Sequence, residues 1–173
     1  MTISVLPDET LETMADPANE TLMADEYRNR HMSEEAIHKA VVDWADRQAT
    51  TRPALYSLFH VPNGGSRHTA EAEKLRQMGT RQGVPDLLLP VPATTPEVDG
   101  TFNGLALELK SPSGRLRPKQ AWWLSTLQSA GWAVAIGWTF EEAKTLIQDY
   151  LAGEHEPQAL DLSGAEPPRH VAG

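Results

Sequence analysis

The chain has 173 residues, of which 40% are hydrophobic, with five Trp, 13 Pro and no Cys. This is enough for one folded domain, and it excludes a disulfide framework and any thiolate chemistry. The net charge of −9 lies mainly at the two ends, because residues 1–32 carry seven acids and two bases and residues 152–173 carry four acids and one base. The central region has thirteen acids and twelve bases, so the acidity does not exclude nucleic acid as a partner.

No secretory signal and no membrane anchor are expected. The first residues have no basic start and no apolar run, and no stretch reaches the ~18–20 apolar residues that cross a bilayer. We therefore expect a cytoplasmic protein.

The first half of the central region has clear helix and strand signals. Ser33 is a suitable cap for a helix with apolar residues at helical spacing. The segment LYSLFHV alternates and is rich in strand-forming residues, and Gly79 is placed to end a second helix. The predicted elements are a helix from Ser33 to about Gln48, a strand at 55–61, a helix at 68–78 and a buried strand at 86–91.

The second half continues the alternation of helices and strands. Its predicted elements are a loop or hairpin at 92–104, a strand at 105–110, a helix at 119–130, a strand at 132–138 and a helix at 140–151. Runs of strands and helices in this mixed order predict a single α/β domain in which helices flank a mixed sheet. We expect this domain at 33–151, after an acidic, mobile N-terminal extension (1–32) and before a Pro-containing C-terminal tail (152–173).

Two of the predicted strands carry acids where chemistry is plausible. Asp86 begins one strand, and Glu108 and Lys110 lie on the same face of another because side chains alternate along a strand. An acid and a lysine within an apolar strand cost free energy unless they pair or bind a ligand. If the two strands are neighbours, two carboxylates and one ammonium converge, and hard divalent cations prefer such oxygen ligands. The alternative is an ion pair on a solvated strand edge.

The surrounding motifs favour the first interpretation. The segments SEEAIHKAVVDWA, FHVPNGGSR, MGTRQGVPDLLL and LALELKSPSGRLRPKQAWWLSTLQSAGWAV follow one another in this order. Together they resemble the virus-type replication-repair nuclease (VRR-NUC) domain of the PD-(D/E)xK superfamily, in the stand-alone form of phages and bacteria. The resemblance covers about residues 33–151 and implies a restriction-endonuclease-like fold.

The resemblance implies a set of catalytic and metal-binding residues. Asp86 and Glu108, with the Leu109 carbonyl and a first-helix acid, would hold Mg²⁺ or Mn²⁺. That acid is Glu34 or Glu35, and helical geometry favours Glu34 because it shares the inward stripe of the helix. Lys110 would position the water or stabilise the transition state, and Gln120 would orient Lys110 or a phosphate oxygen. The segment RPKQ departs modestly from the family pattern, as does His38, where relatives often carry Gln.

Residues of three loops are candidates for contacts with nucleic acid. The glycines of the PNGGSR loop permit a close approach of the backbone to a ligand, and basic residues flank both acidic motifs. The alternatives are a purely structural loop and ordinary solvated charges. The candidates are Asn63, Gly64, Gly65, Arg67, His68, Arg81, Arg115, Arg117 and Lys119.

The resemblance implies a metal-dependent, structure-selective DNA endonuclease. Branched DNA such as four-way (Holliday) junctions or flaps is the expected substrate, homodimer the expected assembly, and DNA repair in a bacterial or phage-infected cell the expected setting. The main alternative is a nucleic-acid-binding module on the same fold that does not cut. The presence of the three acids and Lys110 favours the nuclease over the binding module, because binding alone does not need three carboxylates beside a phosphate.

Overall fold

The computed structural model describes residues 31–62, 69–94 and 100–168. The N-terminal extension up to residue 30 and the loop residues Asn63–His68 therefore lie outside the described residues. The described helices are α1 (Glu34–Gln48), α2 (Thr69–Gln77), α3 (Pro118–Ser129) and α4 (Phe140–Ala152), with a short 3₁₀ helix at Pro53–Ser57. None of the helices in these ranges is long and apolar enough to cross a membrane.

Local sequence signals set the helix ends. The Ser33 hydroxyl accepts a hydrogen bond from the Ala36 N–H, as an N-cap should, and Thr139 caps α4 in the same way through the Glu142 N–H. Gly153 ends α4 with a φ of 75°, in the left-handed region that favours glycine. These bounds agree with the helices predicted from sequence.

A mixed sheet lies at the centre of the domain. Its strands are β1 (Phe59–His60), β2 (Leu87–Leu89), β5 (Leu105–Leu109) and β6 (Ala133–Gly137), in the order β1-β2-β5-β6; β3 (Ala93–Thr94) and β4 (Thr101–Phe102) form a separate hairpin. The pairs β1–β2 and β2–β5 are antiparallel, whereas β5–β6 is parallel. The predicted α/β class, a mixed sheet flanked by helices, is confirmed.

The sheet has a different cover on each face. On one face, Leu105, Leu107 and Leu109 pack with apolar residues of α1 and α4. On the other face, which we call the α3 face, Ala106 of β5 and the buried side chains of β6 on the same side of the sheet pack with α3. Because side chains alternate along β5, Glu108 falls on the α3 face, between buried neighbours.

The strand predicted at 55–61 is wrong over most of its length. Residues Pro53–Ser57 form a 3₁₀ helix, and only Phe59 and His60 pair with β2. Proline at the first helical position fixes a helical φ, and the Leu58 N–H bonds the Leu55 carbonyl instead of a neighbouring strand. Strand-forming side chains did not decide the outcome, because strand propensity depends on what the residue packs against.

The segment after α4 has no helix or strand between residues 154 and 168, yet it packs on the domain. Leu160 and Leu162 pack against the core on the α3 face, and the Glu166 N–H bonds the Pro118 carbonyl at 3.1 Å. His155 is only 1% exposed, with its ring 6.0 Å from those of Phe102 and Tyr150. The segment expected to be a tail thus covers part of the domain.

Burial of His155 predicts that this residue makes stability depend on pH. Burial lowers the pKa of His155 from its ordinary value of 6.5, so the unfolded chain takes up a proton more readily than the folded one. Stability from this residue is therefore present above pH 6.5 and is lost as the pH falls below it. Urea unfolding of wild type and His155→Gln between pH 7 and 5 should give a shallower pH dependence for the variant. Equal slopes would contradict the prediction.

Candidate active site

The site begins where the ladder between β2 and β5 ends. Continuing the register Leu87–Leu107 places Pro85 opposite Leu109, and proline has no N–H to donate. The Asp86 carboxylate takes over one bond of the ladder, because its Oδ2 accepts from the Leu109 N–H at 2.9 Å. The sequence Pro-Asp therefore ends the strand pairing, leaves the Leu109 carbonyl without a strand partner and fixes a carboxylate beside it.

Glu108 is the most enclosed acid of the site. Its side chain is fully buried, and its Oε1 accepts hydrogen bonds from Lys110 Nζ, at 2.5 Å, and from Gln120 Nε2. Its Oε2 is buried without a hydrogen-bond partner. A buried carboxylate oxygen that is left unpaired is costly, so this position favours a cation or another donor.

The ammonium of Lys110 joins the acids. Lys110 is 3% exposed, and its Nζ lies 2.5 Å from Glu108 Oε1, 2.9 Å from the Leu109 carbonyl oxygen and 3.5 Å from Glu34 Oε2. Three of the four groups predicted to bind a metal thus surround one positive charge. The solvated strand-edge pair considered as an alternative does not fit this burial.

The two acids of the first helical turn point in different directions. Glu34 reaches toward Lys110 with half of its side chain exposed, whereas Glu35 pairs with Lys39 on the solvent side, at 2.6 Å. This is the placement expected from helical periodicity, since Glu34 lies one turn before the buried Ile37. Lys39 lowers the pKa of Glu35.

The electrostatics of the site reflect its excess of acids. Among the described residues, the Lys110 ammonium pairs with Glu34 and Glu108, and the charge of Asp86 acts on Glu108 as well. Burial, followed by the charge of Asp86, raises the pKa of Glu108 to about 8, although Lys110 opposes this rise. A carboxyl that resists ionisation because of burial and like charge is typical of functional sites.

The donor set fits a hard divalent cation. The oxygens of Asp86, Glu108 and Leu109 come from neighbouring strand ends. Glu108 Oε2 makes no hydrogen bond that a cation would have to break. Within 31–62, 69–94 and 100–168, however, no three acidic or histidine side chains are already arranged as a metal cage. Lys110 Nζ contacts oxygens of Glu108, Leu109 and Glu34, so a cation would bind beside it, toward the unpaired Glu108 Oε2.

Gln120 contacts Glu108 rather than Lys110, the one of its two expected partners that belongs to this chain. Its amide nitrogen donates to Glu108 Oε1 rather than contacting Lys110, and its Oε1 accepts from the Arg117 N–H at 2.9 Å. Gln120 lies in the first turn of α3, on the side of the sheet to which Glu108 points, so its side chain reaches Glu108. Gln120 thus ties the start of α3 to the buried acid.

The candidate DNA-binding residues fall into two groups. Asn63, Gly64, Gly65, Arg67 and His68 lie outside the described residues. Arg81, Arg115 and Arg117 are exposed, and Lys119 Nζ donates to Gln82 Oε1 at 2.5 Å. A Cβ at Gly83 would lie 2.7 Å from the Lys119 Cβ, so glycine lets the loop that carries Arg81 pack closely on the start of α3.

A pair of histidines beside Asp86 was missed by the sequence analysis. The rings of His38 and His60 meet edge to face with centroids 4.4 Å apart, and His60 Nδ1 lies 3.1 Å from the Asp86 carbonyl oxygen. Burial and the neighbouring His60 lower the pKa of His38. The spacing of four residues between Glu34 and His38 was a usable signal for His38, but the partner lies on a strand that the sequence placed only approximately.

Comparison with known proteins identifies the family. The sequence model of the VRR-NUC domain matches residues 19–137. A solved structure described as a VRR_NUC domain protein has 22% identical residues and a TM-score of 0.57, over 73% of this chain and 98% of its own; this likeness supports the fold. A search of curated proteins found no match. Because the family match spans more than half of the chain, the protein belongs to the VRR-NUC family of nuclease domains.

Proposed function

We propose that this protein is a metal-dependent, structure-selective DNA endonuclease that hydrolyses phosphodiester bonds. The observation that carries the proposal is the buried Glu108, which has one unbonded oxygen and lies beside Asp86, the Leu109 carbonyl and Lys110. Membership of a nuclease family makes DNA the natural substrate of such a site. A purely structural ion pair would not need the two further carboxyl groups of Asp86 and Glu34.

Four groups would hold the cation. The Asp86 and Glu108 carboxylates, the Leu109 carbonyl and the half-exposed Glu34 supply oxygen ligands that suit Mg²⁺ or Mn²⁺. When bound, such an ion lowers the pKa of a coordinated water and neutralises charge on the phosphate. Pro85 supports the site by ending the ladder at Leu109, which keeps that carbonyl free of a strand partner.

Lys110 and Gln120 act on the same reaction through different contacts. The Lys110 ammonium provides a fixed positive charge that stabilises negative charge as it develops on the phosphate oxygens. Its buried stem and its bonds to Glu108 and Leu109 hold it in place without a solvent shell to reorganise. Gln120 fixes the Glu108 carboxylate and links it to the first turn of α3, so it is a positioning residue.

The basic loops would bind the DNA backbone. The exposed residues Arg81, Arg115 and Arg117 and the neighbouring Lys119 lie on loops and the helix start that adjoin the site, and they suit phosphate contacts. Such contacts carry no sequence information, and binding through them weakens with salt. The remaining candidates, Asn63, Gly64, Gly65, Arg67 and His68, are proposed as further contacts to the DNA, and they lie outside the described residues.

The proposed substrate is branched DNA, including four-way junctions and flaps. The candidate contacts are directed to the DNA backbone and thus favour recognition of shape over sequence. A homodimer would present two sites to opposed strands of a junction. Repair of DNA in the cytoplasm of a bacterium or phage-infected cell is the proposed setting.

Cleavage by two matched variants tests the proposal. Labelled four-way junction, flap and linear duplex are incubated with Mg²⁺, Mn²⁺ or EDTA and with wild type, Glu34→Gln or Glu35→Gln. We expect wild type to cut only with metal and to prefer branched substrates. Glu34→Gln should reduce the rate roughly 10- to 100-fold, as losses of supporting metal contacts do, whereas Glu35→Gln should match wild type because Glu35 points to solvent.

The outcomes separate the enzyme from the binding module. Tight junction binding in EDTA without cutting under any metal condition would favour the non-catalytic alternative. Equal rates on all three substrates would contradict structure selectivity. Equal losses in the two variants would contradict the assignment of Glu34.

The buried Glu108 also predicts an effect of pH on the metal-free protein. Its pKa is about 8 in the folded state and 4.5 ordinarily, so the folded state keeps a proton that the unfolded state releases. The stability contributed by this group should therefore fall as the pH rises between 4.5 and about 8 in EDTA, by at most about 1.4 kcal/mol per pH unit, and level off above 8. Urea unfolding should show this loss in wild type and a smaller one in Glu108→Gln, and Mn²⁺ should restore stability to wild type only. An identical pH dependence in the two proteins would contradict the prediction.

A further inference from the structure

Each of the two strand acids of the site is contacted by a further polar side chain. Gln120 donates to Glu108 from the α3 face. The backbone carbonyl oxygen of Asp86 accepts from the Val61 N–H at 3.0 Å and lies 3.1 Å from His60 Nδ1. Since a carbonyl oxygen can only accept, this second contact requires the ring hydrogen of His60 to be on Nδ1. His60 therefore donates a hydrogen bond to a residue whose carboxylate is a candidate metal ligand.

The pairing of β1 with β2 explains why His60 lies there. His60 is opposite Leu87, whose side chain is on the face of the sheet that packs with α1 and α4. Paired residues place their side chains on the same face, so His60 points toward α1. There it meets His38, with ring centroids 4.4 Å apart and an interplanar angle of 79°. This edge-to-face arrangement is one that aromatic rings prefer.

Helix α1 thereby reaches the site at two points. Glu34 and His38 are four residues apart and share one side of the helix, where Glu34 pairs with Lys110 and His38 contacts His60. The contact between the two histidines thus connects α1 to Asp86. Glu34 and Asp86 are both candidate oxygen ligands, and Mg²⁺ demands near-ideal octahedral geometry from its ligands. The histidine pair is therefore placed to fix the relative position of two ligands that come from different elements.

We propose that His60 is a positioning residue for the metal site, which holds Asp86 through its backbone carbonyl and is itself supported by the His38 ring. This inference rests on the proposed function, because it requires Asp86 to bind a cation. Groups that orient metal ligands through hydrogen bonds typically contribute roughly 10- to 100-fold to metal affinity. His60 acts from the opposite face of the sheet to Gln120, so each of the two strand acids has its own positioning residue.

Binding of Mn²⁺, followed by the electron paramagnetic resonance signal of the free ion, tests this role without reference to cleavage. His60→Phe keeps a ring beside His38 and removes the donor to Asp86, so it should bind Mn²⁺ roughly tenfold more weakly. Its cleavage rate should recover as the Mn²⁺ concentration is raised. His60→Asn places an amide nitrogen where Nδ1 lies and should restore most of the affinity. The matched control is Tyr56→Phe, which removes only the hydroxyl of an exposed ring and should bind as wild type.

The outcomes distinguish this role from the proposed function. Absence of Mn²⁺ binding by wild type would overturn both. Binding by wild type with the same affinity in His60→Phe would overturn the role of His60 alone. Equal losses in His60→Phe and His60→Asn would overturn the hydrogen bond to Asp86 as the cause. Because His60 is exposed, its variants should fold as wild type does.

A further variant tests the support from α1. His38→Ala should weaken Mn²⁺ binding by itself and add little to the loss in His60→Phe, because both changes act through the same contact with Asp86. Additive losses in the double variant would overturn the role of His38.

Discussion

The ammonium of Lys110 is the charge on which the arrangement of the site depends. It lies between Glu108, the Leu109 carbonyl and Glu34, which come from one strand end and the first turn of a helix. Without it, Glu108 would be a buried acid beside Asp86 with no opposite charge, a condition that costs several kcal/mol. Even with it, carboxyl groups outnumber the ammonium, and the pKa of Glu108 stays raised. The folded domain thus contains a site that favours one more positive charge.

The backbone prepares this site by ending a strand pair. Proline at position 85 has no N–H to donate to the Leu109 carbonyl, which instead accepts from Lys110, while the Leu109 N–H donates to the Asp86 carboxylate. From the α3 face, Gln120 reaches the same Glu108 and links it to the helix start. Gly83 lets the Arg81 loop pack against that helix start. The buried acid and the exposed basic residues are therefore connected through the start of α3, as the proposed function requires.

Local patterns predicted the parts of this structure that depend on local interactions. The ends of α1 and α4 follow from Ser33, Thr139 and Gly153, and the different directions of Glu34 and Glu35 follow from helical periodicity. The strand bearing Glu108 was predicted from its apolar neighbours. The family motifs indicated which acids belong together.

Long-range contacts decided the remainder. The partner of Gln120 depends on how α3 lies over β5, which no local signal specifies. The sequence predicts a tail after α4 because this segment is rich in proline and polar residues. In the structure, however, Gln158 forms a hydrogen bond with a strand residue 22 positions earlier in the chain. At 55–61 the cause is local instead, because a proline and turn hydrogen bonds outweighed the strand-forming residues.

Anomalous scattering from crystals grown with Mn²⁺ would test the central claim most directly, because it locates the ion without reference to activity. We expect a peak within roughly 2.0–2.6 Å of carboxylate oxygens of Asp86 and Glu108, the range for hard cations and oxygen ligands, and no such peak in Asp86→Asn. A peak elsewhere, or an unaltered bond between Lys110 and Leu109 with no ion near Glu108, would contradict it.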